Sequence, residues 1–175
     1  MRTIHFYEDD FGRCEILSLT AQKQCLEQTK QICGFDEEHR TPYGFTDVYV
    51  IDHSKMQPLS SLGLTQERIA DALAFLPPFD QIISHSYYFP GIEMQARGTK
   101  QIALFWQADP VGLIKDLWLK PFWTRGKSDQ RLLERILKTL GALAPVLLAD
   151  WERLYCVDLT QEEAIDRYLQ MVSNE

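Results

Sequence analysis

Two hydrophobic periods alternate along the chain, and they are sharpest towards its end. Pro145 to Leu159 is an apolar run, a polar break at Asp150 to Arg153 and a second β-rich run, which together predict a β-hairpin. Thr160 and Glu163 follow at capping-box spacing. Ala164, Ile165, Tyr168, Leu169 and Val172 then trace one stripe of a helix. Upstream, Leu132, Leu133, Ile136, Leu137 and Leu140 mark the strongest helix of the chain, with Ser128 or Asp129 as its cap. Both late helices are expected to lie against a sheet.

The first half is less regular. Thr3 to Tyr7 is β-prone, Glu8 to Gly12 is a turn and Cys14 to Leu19 is a second strand, so these two strands are expected to pair as a hairpin. Thr20 is placed to cap a helix with Ala21, Cys25, Leu26, Ile32 and Cys33 on one face, closed by Gly34. A polar loop from Phe35 to Gly44 and a third strand from Thr46 to Ile51 follow. Ser54 to Gly63 is a connection, Thr65 to Leu76 a helix stopped by Pro77 and Pro78, and Gln81 to Phe89 a strand. Ile92 to Ala96 and Lys100 to Trp106 flank a hairpin loop at Arg97 to Thr99, and Pro110 to Leu119 reads as a short helix. The pattern predicts one α+β domain over residues 1–175. Its sheet is antiparallel or mixed, packed by about four helices, and ends in a β-hairpin and a capped C-terminal helix.

Composition narrows the class. A chain of 175 residues is long enough for one well-buried core and short for two. Its 11% aromatic content argues against disorder. A net charge of -7 repels a phosphate backbone, so no nucleic-acid partner is expected. The densest basic stretch, Lys115 to Arg135, is interleaved with Asp116, Asp129 and Glu134, which cancels most of its field. Cys14, Cys25, Cys33 and Cys156 form no Cys-x-x-Cys pair and read as buried free thiols, which suits a reducing compartment. The opening residues are too acidic for a signal peptide, and no apolar run reaches the ~20 residues of a membrane span. A cytoplasmic location, away from membranes, is the expectation.

Motifs for chemistry are sparse. No glycine-rich phosphate loop and no nucleophile elbow occurs. His5, His39, His53 and His85 lack metal-ligand spacing, so neither a metal nor another cofactor is implied, and no catalytic residue is assigned. Asp52-His53-Ser54 reads as a polar cluster at a strand end, because neighbours on an extended chain point to opposite faces. An enzyme, if present, would use His85 as general base with Ser84, Ser86 or a carboxylate from Glu8 to Asp10, in a small hydrolase or transferase. Three segments read instead as contact surfaces for a partner. They are the acidic turn Glu8, Asp9 and Asp10, the acidic loop Asp36, Glu37 and Glu38, and the aromatic pair Phe122 and Trp123.

At Leu148 to Trp151, Val157 to Leu159 and Glu163 to Leu169 the terminus resembles the close of small bacterial immunity proteins found beside secreted polymorphic toxins. The resemblance covers the last quarter of the chain and is structural, a hairpin plus a helix, so it transfers no functional residue. It implies a module that binds a cognate toxin and blocks its active site. With the acidic charge and the absence of catalytic motifs, a protein partner with a basic surface is the leading expectation. A scaffold subunit of a homo-oligomer is a third.

Overall fold

Cys14–Ser18, Ile102–Ala108 and Val146–Asp150 are buried along nearly their whole length. A strand of that kind needs a neighbour on each side and a layer on each face. The computed structural model, which describes residues 1–11, 13–85, 93–121 and 126–173, supplies both. Its strands are β1 (Thr3–Tyr7), β2 (Cys14–Ser18), β3 (Arg40–Thr41), β4 (Gly44–Phe45), β5 (Gln81–His85), β6 (Gln95–Gly98), β7 (Ile102–Ala108), β8 (Ile114–Pro121), β9 (Val146–Asp150) and β10 (Tyr155–Asp158). Its α-helices are α1 (Gln22–His39), α2 (Gln66–Ala72), α3 (Lys127–Leu143) and α4 (Glu162–Ser173). Six strands form one antiparallel sheet in the order β10-β9-β2-β8-β7-β6. β1 and β5 form a separate parallel ribbon, and β3 and β4 a minimal hairpin. The chain is an α+β protein.

Alternation along the strands divides the side chains between two faces. Ile16, Leu104, Leu117, Leu119 and Leu148 turn to one side, where the stripes of α3 and α4 and Ile69 of α2 complete the main core. The other face is covered in two parts. Cys25 of α1 packs on Leu147, Ala149 and Trp151, while Ile4 and Phe6 of β1 pack on Ala103, Phe105 and Trp118. Between these covers lies the middle of the sheet, where Glu15 of β2 stands in register with Trp118 of β8.

Several expectations are corrected. β1 and β2 do not form a hairpin: β1 runs parallel to β5, while β2 sits between β8 and β9. The turn between them is a short 3-10 helix, Glu8–Asp10, and Asp10 is drawn inside, accepting from the Tyr7 N–H and pairing with Lys120. That contact sends the chain into the other layer instead of back along β1. Pro110 to Leu119 is a turn and strand rather than a helix. Asp109 Oδ1 accepts the Val111 and Leu113 N–H groups, and Gly112 adopts φ +86°, which closes a hairpin between β7 and β8.

Helix α1 runs past Gly34 to His39, so Phe35 to His39 is helical and not loop. Phe35 stacks on His39 one turn later (4.1 Å between ring centroids) and meets Tyr49 edge-on (5.5 Å), which holds the last turn. Leu26 and Cys33 are exposed, not part of a buried face. Thr46 to Ile51 joins no ladder. Helix α1 starts after Ala21, with no side-chain cap, and the Thr20 hydroxyl bonds Ser18 and Gln57. Helix α3 starts after Gly126 and not at a capping Ser128 or Asp129. At α4 the Thr160 hydroxyl turns back to Asp158 Oδ1 (2.7 Å) instead of forming the capping box. Cys25 and Cys156 are not free thiols but a disulfide between α1 and β10, with Cα atoms 6.3 Å apart.

Candidate functional site

The end of α1 and the segment after it present an unusual surface. Single apolar side chains on a surface are ordinary, but several large ones clustered on one segment mark a candidate contact surface. Tyr43 is 100% exposed, Val50 80%, Val48 79% and Phe45 54%, all within one short stretch. The segment is nevertheless anchored. The His39 carbonyl accepts the Thr46 N–H (3.0 Å), and the Thr41 hydroxyl donates to the Gly44 carbonyl (2.9 Å). The Tyr49 hydroxyl lies within hydrogen-bond distance of the Gln28 and Gln31 side-chain oxygens (2.9 and 2.8 Å). The Arg40 guanidinium stands 5.7 Å from the Phe45 ring centre. At the base of this ribbon are Asp36, Glu37 and Glu38, on the last turns of α1. Carboxylates at a helix C-terminus face the negative end of the helix dipole, a cost of about 0.3–1 kcal/mol each. They therefore weaken the helix end slightly, and they place negative potential beside the ribbon.

A second feature lies on the uncovered middle of the sheet. A cleft of about 360 Å³ is lined by Glu15, His53, Met56, Lys115, Asp116 and Trp118, among others. Glu15 Oε2 accepts from His53 Nε2 (2.8 Å) and from the Trp151 indole N–H (2.9 Å), which fixes the carboxylate in place. The Glu15 hydrogen bond raises the His53 pKa, opposed by burial and helped by the Glu15 charge, the Ile51 carbonyl and Asp116. Burial raises the Asp116 pKa, with Glu15 adding to it, while Lys115 and His53 pull it down. A carboxyl and an imidazole with perturbed pKa values in one cleft, Asp116 and His53, are the usual marks of a binding or acid–base site.

The residues singled out in the sequence fall in different places. Asp9 is exposed and Glu8 half-buried, but Asp10 is buried against Lys120 and offers nothing to a partner. Phe122, Trp123 and Ser86 lie outside the described residues. His85 is exposed at the end of β5, where its Nε2 meets His5 Nδ1 at 2.7 Å and its ring stacks on Tyr7 at 4.7 Å. Ser84 alternates to the other face, and its buried hydroxyl has no partner among the described residues. The described part of β5 thus gives His85 a second imidazole in place of the hydroxyl. Of Asp52-His53-Ser54 only His53 reaches the cleft, while Asp52 accepts the Ser54 N–H (2.9 Å) in a local turn.

Sequence reasoning missed Glu15, Asp116 and the ribbon apolars. A carboxylate inside an otherwise apolar β-run was the available signal for Glu15. Among the described residues no group of three or more His, Cys, Asp or Glu is arranged to hold a metal ion, and no helix is long and apolar enough to cross a membrane. No protein-family model matches this sequence, no curated protein is similar to it, and no solved structure matches it.

Proposed function

We propose that this protein is a protein-binding module, an immunity protein that neutralises a cognate toxin domain by covering its active site. The ribbon from Arg40 to Val50 and the acidic end of α1 make the contact. The observation that carries this is the set of exposed Tyr43, Phe45, Val48 and Val50 side chains on an anchored segment beside Asp36, Glu37 and Glu38. Aromatic and arginine side chains dominate binding hot spots, here Tyr43, Phe45 and Arg40. The carboxylates and the net charge of -7 steer a basic partner towards them. An anchored segment loses less conformational freedom on binding than a free loop does, which leaves more of the contact energy for affinity.

The Cys25–Cys156 disulfide bears on location. Protein disulfides persist in oxidising compartments and are rare in the cytosol, so the bond favours an oxidising compartment over the cytoplasmic location expected from the sequence. The test of function is affinity capture of the tagged chain from its source cells, with mass spectrometry of what survives a moderate-salt wash. A single stoichiometric protein with a basic contact domain is the expected result. Recovery of the bait alone as a monomer would overturn the proposal.

A further inference from the structure

Deepening that reading, and resting on it for the source of the ligand, the cleft beside β2 and β8 has a chemistry specific enough to name what it takes. Both donors on Glu15 go to Oε2, which leaves Oε1 without a donor among the described residues. Asp116, the neighbouring carboxylate that lines the cleft, is half-buried, and its side chain makes no hydrogen bond or ion pair among the described residues. The cations that act on it, Lys115 and His53, do not restore the ordinary carboxylate range. Two carboxylates that repel each other in a partly dry cleft form an arrangement that stability alone does not favour. His53 answers Glu15 through Oε2 only, so Oε1 and the Asp116 carboxylate remain open to a cation from outside.

The shape of the site selects among cations. Met56, Leu59 and Trp118 supply apolar wall, which suits an alkyl stem behind a charged head. A guanidinium presents several N–H donors in one plane and can serve two carboxylates at once, whereas an ammonium is a strongly hydrated point charge. His53, Met56 and Gln57 belong to the chain that continues directly from the exposed ribbon, so a partner seated on Val48 and Val50 lies next to the cleft in sequence. We infer that the cleft receives the guanidinium of an arginine side chain of the partner, held between Glu15 and Asp116 with its stem against Met56 and Trp118.

The probe is methylguanidinium, added to the full chain alone and followed through the indole N–H resonances in 15N NMR. The Trp151 indole proton is held by Glu15 and reports the site directly. A saturable shift with a Kd on the order of 1–10 mM is expected for so small a ligand. Asp116→Asn should weaken it by about tenfold or more, the loss of one charge-assisted pair. The same substitution should raise the melting temperature, because it removes a carboxylate that the folded state holds unfavourably. A merely structural Asp116 would show the opposite sign. An absent or non-saturable shift, a shift reproduced by sodium chloride at equal ionic strength, or unchanged affinity in Asp116→Asn would overturn the site. No partner takes part in this titration, so its failure leaves docking on the ribbon standing, and failure of partner capture leaves guanidinium binding standing.

Discussion

Tyr168→Phe removes one oxygen from the best-buried polar contact of the C-terminal region. Tyr168 is 1% exposed, and its hydroxyl donates to Asp150 Oδ2 at 2.8 Å. Asp150 is itself fully buried, at the end of β9, and takes its other contacts from Arg153, through the backbone N–H at 3.1 Å and Nη1 at 3.4 Å. Burial first, and then the Asp150 charge, push the Tyr168 phenol well above its ordinary range, so it stays a neutral donor wherever the protein is folded. Phenylalanine fits the same space, so no cavity opens and the lost term is the hydrogen bond alone. A hydrogen bond to a charged group is worth about 1.5–3 kcal/mol. Loss of about 2 kcal/mol corresponds to roughly 4–8 °C in Tm for a domain of this size. Urea unfolding should show a lower midpoint with an unchanged slope. In an Asp150→Asn background the same change should cost clearly less, because the charge is gone. A loss below about 0.5 kcal/mol in the wild-type background would refute the assignment of this bond as a main tie between α4 and the sheet.

Four further outcomes follow from the same geometry. The folded His53 pKa is raised by Glu15, so the contribution of His53 to stability is fully present below about pH 6.5 and is lost as pH rises through the folded value. The ring is half-exposed, which keeps the effect under about 1 kcal/mol, and His53→Ala should flatten that arm of the stability–pH curve. Gly141→Ala would drive a methyl group into the Leu159 carbonyl where α3 meets the chain leading into α4, so a loss above about 3 kcal/mol is expected by urea unfolding. Cys25→Ser should cost about 2–5 kcal/mol, since the bond closes a loop of 131 residues in sequence separation. A thiol count on unfolded, unreduced protein should find two free groups, Cys14 and Cys33; four would contradict the Cys25–Cys156 bond.

What could be read from the sequence was whatever depends on near neighbours. The stripes of α3 and α4 and the β9–β10 hairpin were legible because their partners are a few residues away and their periods are unbroken. β8 was misread because Lys115, Asp116 and Lys120 look like the solvent side of a helix, whereas Asp116, Trp118 and Lys120 alternate onto one face of a strand. The pairing of β1 with β5 joins distant segments in parallel, and no local signal announces such a pair. The end of α1 was placed too early because Gly34 resembles a terminator, although an exposed helix interior tolerates glycine at about 1 kcal/mol. The acidic cluster Asp36 to Glu38 was recognised as a surface feature, but its neighbour, the exposed ribbon, was read as the end of a polar loop followed by a strand from Thr46 to Ile51. The cleft draws Glu15, His53 and Asp116 from three separate segments, so only the folded chain brings them together.

The most direct test of the docking surface is a side-by-side capture with the wild-type chain and a Tyr43→Ala/Phe45→Ala variant. All the altered side chains are at least half in water, so the variant should match the wild-type Tm to within a degree or two. A partner bound stoichiometrically by the wild type and weakened about a hundredfold or more in the variant is the predicted result, as loss of two anchors implies. Capture of the same partner with undiminished affinity by the folded variant would contradict docking through this ribbon.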